Sequence, residues 1–300
     1  MELGETEAAE CALLRALVCA PDLQPPYILL SCLAMTQYKW DDVEYRARQA
    51  LRIEENAEAY NLLGLALDRL DRPQEASAAY TRGIELGPEC EVLYCNFGRL
   101  VRRSDLAKAE ILFCKAIELN PDFARAHLEM GSLLLRQEVL DESEYHLRRA
   151  IELDPAEPYA HLYLGNLLQM KNDIPAAAVE FQWAYHAAPD WPETMWCLAD
   201  ISAAQEEWAK AEDLYNRALA VEPDFIPANR GLANMYMSMG KTQLADTYFR
   251  RVLLLDPHDQ TALDCLETIA GDDRLMPQRL AHRLQRRRPR WQRRHDPDAR

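Results

Sequence analysis

The side chains that most often carry out catalysis or bind metals are scattered along this 300-residue chain. Eight cysteines and seven histidines are present, but no two cysteines form a C-x-x-C pair and no histidines cluster at zinc-ligand spacing. The N-terminal residues MELGETEAAE are acidic, whereas a secretory signal needs basic residues and an apolar run. We therefore expect free thiols rather than disulfides, no bound metal, no membrane span and a cytoplasmic location.

Motifs that bind phosphate or activate a nucleophile are absent. The chain contains no G-x-x-x-x-G-K-[ST], no G-x-G-x-x-G and no G-x-S-x-G. Acidic pairs such as Glu54-Glu55 and Glu206-Glu207 are predicted at helix ends and turns, where a solvated surface is expected rather than acid–base catalysis. These features predict that the protein is not an enzyme, that it has no catalytic, cofactor-binding or metal-binding residues, and that it needs no cofactor.

The charge of the chain is unevenly distributed, and this favours binding chemistry. The net charge is −15, yet residues 274–300 contain ten arginines against two aspartates, while the first 273 residues contain 24 basic and 47 acidic side chains. Within that acidic body, arginines are concentrated between positions 99 and 136, where they attract carboxylates. We call this set the arginine cluster: Arg99, Arg102, Arg103, Arg125 and Arg136.

The elements that must position these residues recur about every 34 residues. Proline halts a helix, and prolines recur at Pro88, Pro121, Pro155, Pro189, Pro223 and Pro257. A small residue recurs with the same period at Gly64, Gly98, Gly131, Gly165, Ala199 and Ala233. Each period contains two amphipathic helices, and because one helical pair cannot bury both of its faces, neighbouring pairs must stack.

The motif residues resemble those of the tetratricopeptide repeat (TPR) family. The family pattern W-x2-L-G-x2-Y…A-x3-F…P is matched by Tyr60-x2-Leu63-Gly64-x2-Leu67…Ala76-x3-Tyr80…Pro88. The resemblance implies an all-α fold, an α-solenoid in which about seven helical hairpins form a right-handed superhelix. It also implies that the first helix of each hairpin lines a concave groove, which holds an extended peptide or a helix of a partner protein.

The repeats divide the chain into four kinds of segment. Residues 1–23 have the pattern of half a repeat, which we expect to cap the N-terminal end of the stack. The alternative is that this segment leaves an apolar face open for a partner. Residues 260–273 form a C-terminal capping helix, and residues 274–300 form a basic tail that is expected to be disordered. The repeat 91–123 is one residue short, which predicts a tighter turn between its helices. The seven repeats are 24–56, 57–90, 91–123, 124–157, 158–191, 192–225 and 226–259.

Two sets of residues are candidates for contacts in the groove. The first is the arginine cluster, which favours an acidic ligand; the alternative is that Arg103 and Arg136 only complement the dipole at a helix C-terminus. The second is an aromatic–amide strip, in which Trp196 is either a binding residue or merely covered by its neighbours. Trp183, Trp191 and Trp208 are expected to pack between helices, as are the rings of His127 and His161. The aromatic–amide strip comprises Tyr159, Asn166, Trp196, Arg230 and Asn234.

These observations favour a non-enzymatic scaffold or adaptor that binds a protein partner in the groove, and the arginine cluster favours an acidic partner. A second hypothesis is association of the tail with nucleic acid or another anionic surface, because the tail combines arginines with a stacking ring. A third is self-association, in which the basic tail of one molecule lies on the acidic body of another. The tail residues concerned are Arg286, Arg287, Arg288, Arg290, Trp291, Arg293 and Arg294.

Overall fold

Sixteen α-helices and no strand make up the described part of the chain. The structure is a computed structural model that describes the backbone from Glu2 to Gly271 and the side chains from residue 8 to residue 270. The expected all-α solenoid is confirmed. The helices are α1 (Glu2–Cys19), α2 (Gln24–Thr36), α3 (Trp40–Ile53), α4 (Ala57–Arg69), α5 (Pro73–Leu86), α6 (Glu91–Val101), α7 (Leu106–Leu119), α8 (Ala124–Arg136), α9 (Leu140–Leu153), α10 (Pro158–Met170), α11 (Ile174–Ala187), α12 (Pro192–Ala204), α13 (Trp208–Val221), α14 (Ile226–Ser238), α15 (Thr242–Leu255) and α16 (Gln260–Gly271).

Two predicted regions extend past the described residues. The predicted C-terminal helix appears as α16, which is described as far as Gly271. The basic tail, with Arg286, Arg287, Arg288, Arg290, Trp291, Arg293 and Arg294, lies outside the described residues, and so do the contacts proposed for it with nucleic acid or with a second molecule.

Helices α2 to α15 pair into seven hairpins, each with a first helix and a second helix. Several helices begin with proline in the first turn, where its missing N–H leaves no hydrogen bond unmade, as in α5, α10 and α12. Others begin with a side-chain cap. The Asn56 Oδ1 atom accepts the Ala59 N–H at 2.8 Å, and Asp105 Oδ1 accepts the Lys108 N–H at 2.9 Å. Local sequence therefore sets where these helices start.

The turn between the two helices of a hairpin contains one left-handed residue in every repeat except 91–123. These residues, whose φ angles lie between 57° and 71°, are Tyr38, Asp71, Glu138, Asn172, Glu206 and Gly240. In the repeat 91–123 the Asp105 N–H donates instead to the Val101 carbonyl at 2.8 Å. The expectation of a tighter turn there is wrong: four residues separate α6 from α7, against three in the other hairpins, because α6 is two residues shorter than the other first helices and ends before Arg102.

The core of each hairpin depends on a small residue in the first helix that lies under a large side chain of the second helix. An added Cβ atom at Gly98 would lie 2.5 Å from the Phe113 ring, and one at Gly165 would lie 2.5 Å from the Phe181 ring. Both rings are completely buried. The glycine column is therefore explained by the close approach of two helices rather than by backbone conformation.

The chain divides into two compact units, with the boundary between Leu153 and Asp154. The core of the first unit runs from Ile28 on α2 to Leu134 on α8. The second unit has its own core, which includes residues from Met195 on α12 to Cys265 on α16. The arginine cluster belongs to the first unit, and the aromatic–amide strip belongs to the second.

Helix α1 packs against α2 at the N-terminal end of the first unit. The Glu10 carboxylate also pairs with Arg46 of α3 at 3.2 Å, so that an ion pair attaches α1 to the first hairpin. The remaining face of α1 exposes Leu14 and Val18. The capping role predicted for residues 1–23 therefore stays a proposal beside the alternative of an open apolar face.

A side chain near the start of several first helices closes the preceding loop. It contacts the carbonyl oxygen of a proline six residues earlier, at 3.1 Å for Tyr94, 3.0 Å for His127, 3.2 Å for His161 and 3.3 Å for Asn229. A carbonyl only accepts, so the Nε2 atom of each histidine carries a hydrogen. Both histidine rings are buried, as expected.

The other nitrogen of each histidine meets a different partner. His127 Nδ1 lies 2.9 Å from Nδ1 of His146, and burial lowers the pKa of both rings, to about 4 for His146. His161 Nδ1 lies 2.7 Å from the Glu180 carboxylate, and this hydrogen bond raises the pKa of His161. The same position in two successive repeats therefore holds a histidine whose pKa is lowered in one case and a histidine whose pKa is raised in the other.

The structure also bears on the predictions made for the cysteines, the tryptophans and a membrane span. All eight cysteines are free. The expectation that Trp183 packs between helices is wrong, because its side chain is 58% exposed; Trp191 and Trp208 are half-buried. None of the sixteen described helices combines the length and the apolar character that a bilayer crossing requires.

We predict that Gly98→Ala destabilises the first unit by about 1 to 3 kcal/mol, because the new methyl group must displace the Phe113 ring. Alanine favours helices more than glycine does, so propensity alone predicts the opposite sign. Urea unfolding followed by circular dichroism measures the effect. In a Phe113→Ala background the added methyl has room, and the loss should shrink; an equal loss in both backgrounds would contradict the packing explanation.

Candidate functional site

Three members of the arginine cluster converge on a carboxylate that the sequence analysis overlooked. Glu129 lies on α8, and its Oε1 atom is 3.2 Å from Arg99 Nε and 3.9 Å from Arg125 Nε. Its Oε2 atom accepts a hydrogen bond of 2.6 Å from Arg102 Nη1. The same Arg102 nitrogen donates to Ser132 Oγ at 3.2 Å. Residues from α6 and α8 therefore form one ionic group between two first helices of neighbouring repeats.

Glu129 is the buried centre of this group. Only 9% of its side chain is exposed, whereas the three arginine side chains are exposed by 21% to 43%. A buried carboxylate needs charged partners to offset its desolvation, and the short contact with Arg102 is a charge-assisted hydrogen bond. A sequence signal existed, since Glu129 follows Arg125 by four residues on a predicted helix. That spacing does not, however, reveal the contacts with α6.

The other two members of the cluster lie at its edge. Arg103 is 72% exposed and lies 3.8 Å from Asp68 of α4. Arg136 is exposed at the end of α8, and no ion pair joins it to another described residue. Arg103 and Arg136 therefore place positive charge at the outer edge of the cluster, beside the ionic group around Glu129. The position of Arg136 in the last turn also complements the helix dipole, so both functions predicted for it agree with its location.

A chain of hydrogen bonds extends the ionic group to α4. Asn96 Nδ2 donates to Asn61 Oδ1 at 2.9 Å, and Arg99 Nη1 donates to Asn96 Oδ1 at 3.4 Å. Arg99 is thereby held from both sides, by Asn96 on its own helix and by Glu129 on the next first helix. The polar contacts across α4, α6 and α8 fix the direction of its guanidinium group.

The aromatic part of the strip in the second unit lies in two separate ring pairs. Tyr159 is 44% exposed, and its ring centroid is 4.3 Å from that of Trp191. Trp196 is half-buried and meets the edge of Phe225 at a centroid distance of 6.3 Å. Trp196 is thus covered in part by its neighbour, while Tyr159 presents the larger free surface.

The polar part of the strip is only partly satisfied within the chain. Asn166 Oδ1 faces the Cys197 thiol at 3.9 Å, which is a weak contact. Asn234 Oδ1 is buried and has no hydrogen-bond partner among the described residues. Arg230 donates to the buried carboxylate of Asp259 at 2.9 Å, and this contact ties α14 to the start of α16. Arg230 therefore has a structural partner in addition to its predicted role in binding.

Asp200 occupies the same position of its repeat as Asn166 and Asn234 do in the repeats before and after it. Its surroundings shift the pKa of its carboxyl group. Burial raises the pKa of its carboxyl to about 6, although a hydrogen bond from the Tyr215 hydroxyl, the charge of Arg230 and a hydrogen bond from Trp196 all act to lower it. The Tyr215 hydroxyl donates to Asp200 Oδ1 at 2.5 Å. Asp200, which lies beside the aromatic–amide strip, therefore takes up a proton in mildly acidic solution.

Comparison with family models shows that the chain belongs to the tetratricopeptide repeat family. Tetratricopeptide repeat models match residues 57–90, 99–158, 162–225 and 230–263, which together make up well over half of the chain. No curated protein sequence matches it. Proteins of this family are repeat scaffolds that bind other proteins, and a protein-interaction scaffold is thereby supported as the general function.

Solved structures with the same fold share little sequence with this chain. A crystal structure of the APC/C hetero-tetramer Cut9-Hcn1 matches with a TM-score of 0.75 at 17% identity, over 87% of this chain and 52% of that one. This chain therefore spans about half the length of that relative. The Pseudomonas aeruginosa protein pilF matches with a TM-score of 0.63 at 17% identity, covering 72% of this chain and 97% of its own. PilW, a type IV pilus biogenesis factor, also gives 0.63 at 17% identity, covering 70% and 98%. At these identities the likeness shows the fold alone.

We predict that Glu129→Gln lowers the free energy of unfolding by about 1 to 3 kcal/mol, because three arginines then face each other without their central carboxylate. Urea unfolding at low and high salt measures this change, and salt should reduce it. Glu152→Gln is the control, since Glu152 is 64% exposed in its pair with Arg149 and its removal should cost at most about 0.5 kcal/mol. Equal losses for the two variants would contradict a structural role for Glu129.

We predict that Asp200→Asn becomes more stable relative to the natural chain as the pH rises from about 4 to about 6. The unfolded chain ionises Asp200 at the ordinary pKa, while the folded chain holds the proton up to about 6, so ionisation lowers the stability of the natural protein across this window. The gain should be about 2 to 3 kcal/mol. Unfolding at several pH values measures it. Asp190→Asn, in the exposed turn before α12, controls for net charge; parallel curves for both variants would overturn the prediction.

Proposed function

We propose that this protein is a non-enzymatic scaffold whose arginine cluster binds an acidic segment of a partner protein. The observation that carries the proposal is that Glu129 already orients the guanidinium groups of Arg99 and Arg102, on a surface where Arg103 and Arg136 are exposed beside them. A carboxylate ligand meets fixed donors there and does not have to order flexible side chains. Because the remainder of the chain is strongly acidic, the same ligand is repelled from most other surfaces.

The geometry of the donors favours carboxylates over other anions on a protein partner. Each guanidinium carries five N–H donors, and Glu129 uses only some of those on Arg99 and Arg102. The remaining donors, with exposed Arg103 and Arg136 beside them, suit aspartate or glutamate side chains spaced along an extended or helical segment. Arg102 and Arg99 serve as the fixed part of the site, and Arg103 and Arg136 as its adaptable edge.

The aromatic–amide strip is proposed as a separate contact surface in the second unit. Tyr159 offers an exposed ring, and the unpartnered Asn234 Oδ1 atom can accept an N–H from an incoming peptide backbone. Trp196 and Asn166 would lie beside that backbone, while Arg230 remains engaged with Asp259. This strip supplies apolar and hydrogen-bonding contacts, whereas the arginine cluster supplies charge.

We predict that the double variant Arg103→Glu with Arg136→Glu weakens the binding of an acidic peptide by about tenfold or more, because it reverses the two exposed positive charges at the edge of the cluster. The probe is a fluorescein-labelled synthetic peptide of alternating glutamate and leucine, titrated at low salt and followed by anisotropy. These two positions are chosen because neither contacts Glu129, so the ionic group at the centre of the site stays intact.

Two comparisons make this experiment specific. Arg148→Glu reverses an exposed charge on α9 within the same unit, and it should leave the affinity nearly unchanged. A peptide with glutamine in place of glutamate should bind weakly to the natural chain. If the double variant binds the acidic peptide as tightly as the natural chain does, the arginine cluster is not the site of recognition.

A further inference from the structure

One position of the second helix carries a cation in most repeats of this chain. In three repeats the cation pairs with an acidic residue 27 positions earlier, at 2.7 Å for Arg82 with Glu55 and 2.6 Å for Arg149 with Asp122. Arg251 and Asp224 form the same pair at 3.7 Å. The residues at this position in the seven repeats are Gln49, Arg82, Lys115, Arg149, Trp183, Arg217 and Arg251.

Trp183 is an aromatic residue at a position where five of the repeats have arginine or lysine. The residue 27 positions before it is Ala156, so no acid is present there for a cation to hold. The indole does not replace the lost ion pair with a buried contact, because 58% of Trp183 remains exposed. The hairpin therefore keeps a large aromatic side chain in solvent at a place where three other repeats form an ion pair with the loop before the hairpin.

The indole is held in a fixed position despite its exposure. Its ring stacks on His161 with a centroid distance of 5.7 Å and an interplanar angle of 15°. His161 is itself held on both sides, by the Pro155 carbonyl and by the Glu180 carboxylate. One face of the Trp183 ring is therefore covered by a rigid support and the other face is free, which reduces the entropy lost when a ligand binds.

The exposed face of α11 around Trp183 has no free charge. Val179, one turn before Trp183, is 52% exposed, and Gln182 and His186 are exposed beside it. Glu180 is the single Asp, Glu, Lys or Arg residue in α11, and it is bound to His161. An exposed apolar patch with a fixed tryptophan at its centre is typical of a protein-interaction surface.

The charge of the second unit indicates the chemistry of the occupant. Residues 154–271 contain 18 acidic side chains against seven basic ones, so the potential around the patch attracts cations. The free face of an indole ring also binds ammonium and guanidinium groups through its quadrupole. A carboxylate, in contrast, gains nothing from either effect. Both considerations favour a ligand that combines basic heads with aliphatic stems.

We propose that the exposed face of α11, centred on Trp183 and Val179, docks a basic, aliphatic segment of a partner protein. A lysine or arginine of that segment lies on the free face of the Trp183 ring, and an apolar neighbour covers Val179. This surface is distinct from the arginine cluster and from the aromatic–amide strip, and it selects a ligand of the opposite charge to that of the arginine cluster. Its existence does not depend on the function proposed for those sites.

The experiment titrates a short synthetic peptide of alternating leucine, lysine and arginine into the full chain. The indole N–H signal of Trp183, identified by its absence from the spectrum of Trp183→Arg, should shift on binding, and calorimetry gives the Kd. Trp183→Arg introduces the residue that other repeats carry at this position, so the fold should be retained, as circular dichroism will show. The substitution should weaken binding by about tenfold or more.

Leu254→Arg is the matched control. Leu254 is 83% exposed on α15 of the same unit, so this variant adds the same charge away from α11 and should bind the peptide with less than about a twofold change. Equal affinities for Trp183→Arg and the natural chain would overturn the proposal, and so would equal weakening by Trp183→Arg and Leu254→Arg. Tighter binding of a peptide with glutamine or glutamate in place of the basic residues would exclude a cationic ligand.

Discussion

The fold depends on the close contact between a small residue of one helix and a large side chain of its partner. Phe113 lies so near Gly98, and Phe181 so near Gly165, that no side chain fits between each pair. This contact sets the distance and the rotation of the two helices in each hairpin. Since the hairpins repeat it with constant spacing, residues one repeat apart are brought into register. The contacts between neighbouring repeats, such as that of Arg102 with Glu129, depend on this alignment.

Ion pairs between successive repeats have two roles in this chain: some only join the helices, and others also support a binding surface. Arg230 and the buried Asp259 join α14 to α16, and their role is structural. Arg102 and the buried Glu129 join α6 to α8 in a similar way, but here further arginines surround the acid. A buried carboxylate that orients several guanidinium groups is at once a structural element and the support of a binding surface. Stability and recognition are therefore coupled at Glu129.

Departures from the repeat pattern are the most informative positions in the chain. His127 and His161 occupy one position in successive repeats, yet their pKa values shift in opposite directions, because burial lowers the pKa of His127 whereas the hydrogen bond with Glu180 outweighs burial at His161. Trp183 stands in a column of mostly cations, and the acid that pairs with the cation in three other repeats is absent at Ala156. Packing residues recur because the hairpins must stack, whereas surface residues are free to diverge towards binding.

The amino-acid sequence by itself determined the helical repeat and its register. Periodic prolines, glycines and alanines encode local helix ends and close contacts, and these act within one or two repeats. The arginine cluster and the aromatic–amide strip were also recognisable as candidates from residue type and spacing. The tertiary structure alone decided that Glu129 lies among the arginines, that Asp259 engages Arg230 and that Trp183 is exposed. These outcomes depend on which side chain faces each residue from a different helix about 20 to 30 residues away, and a pattern of single positions does not contain that information.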